Sequence, residues 1–190
     1  MTLAPFWIQT FTGLAFDLRR PLPSMVCKED IAHALANQCR YIGHAAWHYS
    51  IAQHSVLVAE IVCATDPASA FKALLHDSGE AYVGDWSSPL KALLRERAPE
   101  ALALEQEVER TIGCKYGVDL VSRDLLIKHA DLVALVTEKR DLFGPAPQDG
   151  WGDATGFELP APLDTRIERW SPTQAERRFL DAFERFGGKS

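Results

Sequence analysis

Residues 73–80 read Ala73-Leu74-Leu75-His76-Asp77-Ser78-Gly79-Glu80. An apolar run of helical character ends in adjacent histidine and aspartate, and a carboxylate follows three residues later. Neighbouring residues on a helix point about 100° apart, because a turn takes about 3.6 residues. His76 and Asp77 therefore reach one point beside the helix only where other segments close the far side. Two segments offer matching chemistry: His54 in Tyr49-Ser50-Ile51-Ala52-Gln53-His54-Ser55-Val56, and Asp131 in Ile127-Lys128-His129-Ala130-Asp131-Leu132. Two imidazoles with two carboxylates suit one divalent Zn, Mn, Co, Fe or Ni ion. The set is too rich in nitrogen for a dedicated Ca or Mg cage.

His-Asp is a common dipeptide and by itself a weak signal. Helix faces strengthen it. With Ser50 capping a helix over 51–63, His54 shares a face with Ile51, Val58 and Ile61. With Ser122 capping a helix that runs to Leu142, Asp131 shares a face with Ile127, Ala134 and Leu135. A core carboxylate without a partner is costly. Core-facing polar residues on separate helices are most simply explained by a common ion. The plain alternative is a polar core network that holds no metal.

The 190 residues, 47% hydrophobic and 24% charged, suffice for one globular domain over 1–190 with a sizeable core. A net charge of -6 argues against coating a nucleic-acid polymer. A small anionic substrate stays compatible, since a local metal and a few basic side chains override the overall sign. Cys27, Cys39, Cys63 and Cys114 form no C-x-x-C pair and read as free thiols of a reducing compartment. No long apolar run and no basic-then-apolar leader is present, so the expectation is a soluble, cytoplasmic protein with no membrane partner. The oligomeric state is open, a homo-oligomer included.

The fold expected is all-α, with a short hairpin near the N-terminus. Residues 1–24 carry Phe6, Trp7, Phe11, Gly13 and Phe16 with three prolines, Pro5, Pro21 and Pro23, and read as irregular or short-strand structure. Helices are expected over 29–37 and 51–63. Another opens at Asp66-Pro67 and runs toward His76 and Asp77. Two more span 88–97 and 99–113, the second with Glu105, Glu107, Glu109 and Arg110 outward, and a last long one spans 122–142. Residues 144–170, with Pro145, Pro147, Pro160 and Pro162, read as a long loop, and such loops are usually functional or disordered. Ser171-Pro172-Thr173-Gln174 is a capping box that launches a C-terminal helix over 171–187.

Two longer runs carry a resemblance. Arg40-Tyr41-Ile42-Gly43-His44, followed by Tyr49-Ser50-Ile51-Ala52-Gln53-His54-Ser55, is similar to an R-F-x-G-H … Y-S-V-A-Q-H-S run. His76-Asp77-Ser78-Gly79-Glu80-Ala81-Tyr82-Val83-Gly84-Asp85 … Ser88-Pro89-Leu90-Lys91 is similar to an H-D-x-x-E … G-D … P-x-K run. Both belong to a branch of the HD-domain metal-dependent phosphohydrolases that includes bacterial 5′-deoxynucleotidases and phage dATP triphosphohydrolases. The match covers roughly residues 6–145. His48 stands where that branch commonly has an aromatic, and Gly79 where a small polar residue or alanine is commoner.

The resemblance implies an HD-domain helical bundle and a metal held by His54, His76, Asp77 and Asp131. It implies that Glu80 is the general acid or base, the alternative being a solvated surface glutamate. Asp85 follows as a catalytic-site carboxylate touching the sugar or nucleophile, the alternative being a cap for the 86–97 helix. Arg40 offers a planar fork for phosphate, the alternative being a structural ion pair. Lys91 lies between phosphate and solvent, and His44 matches a phosphate-side or supporting position. His33 and His129 are set aside as ligands. The substrate expected is a nucleotide, first a (deoxy)nucleoside 5′-monophosphate cleaved to nucleoside and phosphate, because two cations, Arg40 and Lys91, suit one phosphate. A dNTP triphosphohydrolase and a non-catalytic metal- or nucleotide-binding domain are the alternatives.

Overall fold

A computed structural model describes residues 6–145, 150–152 and 156–187. The parts of the expected long loop at 146–149 and 153–155, Pro147 among them, lie outside the described residues. Among the described residues the fold is all-α apart from one hairpin, β1 (Trp7–Gln9) against β2 (Ala15–Asp17), antiparallel with Ile8 opposite Phe16. Gly13, at φ 89°, supplies the left-handed step in its turn.

Helices α1 (Lys28–Asn37), α2 (Ile51–Cys63), α3 (Ala70–Leu74) and α4 (Glu80–Val83) form the first half. Helices α5 (Ser88–Arg97), α6 (Pro99–Tyr116), α7 (Leu125–Leu142) and α8 (Pro172–Gly187) form the second. The molecule is built around α2, which packs on α1, α3, α7 and α8. Its residues are buried nearly all round, from Ile51 and Ala52 through Val58, Ala59 and Val62. A helix apolar on every side is stable only inside a core. Each of its fully buried Ile or Val side chains contributes about 1.5–3 kcal/mol over an exposed one. The Ser50 hydroxyl caps it as expected, accepting from the Gln53 N–H at 3.1 Å.

Helix α8 closes the bundle by an apolar stripe of Ala175, Phe179, Ala182 and Phe183. Its capping box is reciprocal: the Ser171 N–H donates to Gln174 at 2.9 Å and the Gln174 N–H to the Ser171 hydroxyl at 3.2 Å. By contrast α5 buries no residue and lies on α6.

Three expectations are corrected. The helix opened by Asp66 and Pro67 starts as a 3-10 turn (Pro67–Ser69) and ends at Leu74, so His76 and Asp77 sit in the turn between α3 and α4. Helix α7 is capped by Asp124, which accepts from the Leu126 and Ile127 N–H groups, and not by Ser122. Glu105 is buried, because Lys91 of the neighbouring helix covers it with a 2.7 Å ion pair.

Candidate metal centre

Three separate elements bring His54, His76 and Asp131 together. Helix α2 carries His54, the α3–α4 turn carries His76, and α7 carries Asp131. One nitrogen or oxygen of each lies within 4.8 Å of the others, so the group can hold a metal ion. Asp77 joins them: its Oδ2 is 3.2 Å from His76 Nε2 and 3.5 Å from His54 Nε2. Asp131 Oδ1 stands 3.4 Å from His54 Nε2.

The tautomers follow from the other ring nitrogens. His54 Nδ1 lies 2.6 Å from the Glu138 carboxylate, and His76 Nδ1 lies 2.8 Å from the Ala73 carbonyl. Acceptors at both Nδ1 positions fix the protons there and leave the Nε2 lone pairs aimed at the group. Both Nε2 atoms are buried and have no hydrogen-bond partner among the described residues. A buried imidazole nitrogen left without a partner is costly in a plain polar core. An imidazole anchored by a carboxylate or carbonyl at its far nitrogen is the usual setting of a metal ligand. The donor set therefore fits a divalent transition metal.

Without a cation the cluster leans on its own charges. Burial and the Arg40 charge push the His54 imidazolium down, but Glu138 and Asp131 outweigh them, and its pKa rises from 6.5 to about 9. Burial raises the Asp77 and Asp131 carboxyls, yet the neighbouring histidines, with Arg40 and Lys128, hold both well below the ordinary range. These carboxylates are ready to bind a cation.

Glu138 is the residue that sequence reasoning missed. It is fully buried, accepts from Tyr49 Oη at 2.9 Å, bonds the Tyr41 hydroxyl, and lies 3.5 Å from Arg40 Nε. A signal existed: Glu138 follows Asp131 by two helical turns on one face of α7. Tyr41 and Ile42 adopt left-handed backbone at φ 57° and 55°. For bulky residues this costs on the order of 1–3 kcal/mol each, strain that clusters at functional sites.

The other expected residues divide. Arg40 is engaged in ion pairs, at 3.2 Å from Asp77 Oδ2 and 3.5 Å from Glu138 Oε2. Lys91 is likewise engaged, 2.7 Å from Glu105 and 3.6 Å from Glu80. Glu80 is no surface residue: it is buried, its Oε2 has no partner among the described residues, and burial with the Asp77 charge raises its pKa well above the carboxylate range. Asp85 caps nothing, since Ser87 occupies the cap position of α5; burial raises its carboxyl in a field shared with Arg40 and Asp77. His44 lines a separate, largely apolar cavity of about 520 Å³ with Tyr41, Leu135, Phe143 and Trp151. His48 bonds the Ala36 carbonyl at 3.1 Å, and His129 is exposed. The four cysteines are free thiols, and no described helix is long and apolar enough to cross a membrane.

No family model matches the chain. Over 177 residues it is 40% identical to the uncharacterized protein YfdR of Escherichia coli (strain K12), covering 93% of either chain. Over 147 residues it is 31% identical to the uncharacterized protein RCAP_rcc00048 of Rhodobacter capsulatus, covering 73% of this chain and 74% of that one.

Proposed function

This chain belongs to the family of the uncharacterized protein YfdR, and we propose that it is a metal-dependent phosphohydrolase of the HD-domain type acting on nucleotides. The observation that carries the reading is the pair of buried Nε2 atoms of His54 and His76, which make no hydrogen bond among the described residues and converge with the Asp77 and Asp131 carboxylates at 3.2–3.5 Å. The motif runs over 40–55 and 76–91 support the same chemistry.

His54, His76, Asp77 and Asp131 would hold the ion. When bound, a divalent ion supplies Lewis acidity that neutralises phosphoryl charge and makes a water a stronger nucleophile. The chain's own residues do the rest. Glu138 and the Ala73 carbonyl keep both imidazoles in the Nε2-lone-pair tautomer. Arg40 orients the Asp77 carboxylate. Glu80, whose pKa is pushed well above its ordinary value by burial and the Asp77 charge, would give a proton to the leaving oxygen. Lys91 and the Gln38 amide, which donates to the Glu80 carbonyl at 3.0 Å, hold it in position. The aromatic cavity of Tyr41, Phe143 and Trp151 suits a nucleobase, because base–aromatic stacking tolerates any base.

The test is release of nucleoside with phosphate, pyrophosphate or triphosphate from a panel of nucleoside phosphates with Mn, Co, Zn or Mg. Hydrolysis that needs one of these ions supports the proposal. No release from any nucleotide with a metal-loaded protein contradicts it.

A further inference from the structure

A second cavity of about 520 Å³ has His76 and Asp131 in its own wall. That wall also holds four cations: Lys72, Arg95, Arg123 and Lys128. Facing them are Glu109, Asp124 and Asp131. The lysines are committed, Lys72 at 3.2 Å from Asp124 and Lys128 at 2.8 Å from Asp131. Glu109 carries a reduced charge near neutrality, because burial and Glu105 push its pKa up to about 7. Arg95 and Arg123 have no carboxylate partner among the described residues. The Arg123 guanidinium stands 5.1 Å from the Phe157 ring centroid, a contact that leaves its N–H donors available. Two uncommitted guanidiniums on a concave wall beside a metal-binding group are matched in charge and shape to a phosphate, which the planar fork grips through two hydrogen bonds.

The cations expected to meet substrate phosphate point the same way. Arg40 and Lys91 are engaged with Asp77, Glu138 and Glu105, whereas Arg95 and Arg123 line the cavity that shares His76 and Asp131 with the metal-binding group. We infer that the cavity is a subsite for a second phosphoryl group of the substrate, held by Arg95 and Arg123 next to the phosphate at the metal-binding group. The inference rests on the phosphohydrolase reading and narrows it from any nucleotide to one with two or more phosphates. The second phosphate sits either in line with the first, as in a diphosphate, or on another position of the sugar.

The test begins with inorganic pyrophosphate titrated into metal-free protein by calorimetry. Both arginines are exposed, so Arg95→Ala/Arg123→Ala leaves the core untouched, and unchanged zinc stoichiometry checks the fold. Each arginine lost should weaken pyrophosphate binding about tenfold, the usual scale of a charged hydrogen-bond pair. Absent binding in the wild type, or equal binding in the double variant, overturns the subsite. A second arm compares KM for a nucleoside 5′-diphosphate, a 3′,5′-bisphosphate and a 5′-monophosphate. The variant should lose most on one of the two doubly phosphorylated substrates, which identifies the source of the second phosphate. Equal loss on the monophosphate overturns the inference. If metal-loaded protein cleaves no nucleotide while pyrophosphate binding still needs both arginines, the phosphohydrolase reading fails and the anion subsite stands.

Discussion

His54 Nδ1 and Glu138 Oε1 lie 2.6 Å apart, and neither side chain has any exposure to solvent. The same carboxylate accepts from both Tyr41 and Tyr49, so one buried charge sets the tautomer of a central imidazole and anchors the strained 41–42 loop.

Glu138→Gln should keep an acceptor for His54 while removing the charge. The expected result is a folded protein whose metal affinity falls about 10–100-fold, the usual cost of losing a partner behind a metal-ligating histidine. Competition with a chromogenic chelator measures it, and unchanged affinity would show that Glu138 serves only the fold. Glu138→Ala leaves His54, Tyr49 and Arg40 without their partner and should destabilise by about 3–5 kcal/mol.

Glu80→Gln should retain the metal and the fold but lose about 10²–10⁴ in turnover, the range of a general acid or base. A loss under about tenfold would remove Glu80 from the chemistry and turn attention to Asp85.

Glu109 gives a pH signature in metal-free protein. Its ordinary value is 4.5 and its folded value is about 7. Between these the folded state binds the proton more tightly, so wild-type stability falls as pH rises through the window. Below 4.5 both states are protonated, and above 7 the destabilisation is complete. Glu109→Gln should therefore gain Tm over wild type progressively from the lower pH to the upper. A Tm difference independent of pH would place the ionisation elsewhere.

Much of this was legible from residue spacing. The Ser50 cap, the inward face of α2 and the Ser171–Gln174 box are local patterns, and each stands as expected. His54 could be placed in the core because Ile51, Val58 and Ile61 on its face of the helix are apolar. Glu138 was harder to place: its seven-residue spacing from Asp131 puts it on the same face, but Glu138-Lys139-Arg140-Asp141 reads as the solvated end of a helix. Its burial comes from Tyr41 and Tyr49, some ninety residues upstream, whose hydroxyls satisfy it. Glu105 was misjudged for the same reason: only Lys91, on another helix, makes its burial tolerable. Charge pairing across elements decides such residues, and periodicity within one element shows at most which face they occupy. The monophosphate expectation counted Arg40 and Lys91 as free cations, which sequence cannot distinguish from paired ones.

The most direct measurement is metal content by mass spectrometry of wild type beside Asp131→Ala and His76→Ala, each incubated with Zn or Mn and desalted. The account predicts one ion per wild-type chain and loss of most of it in both variants, since each removes a donor from a small site. Full metal content in either variant, or none in the wild type, would contradict it.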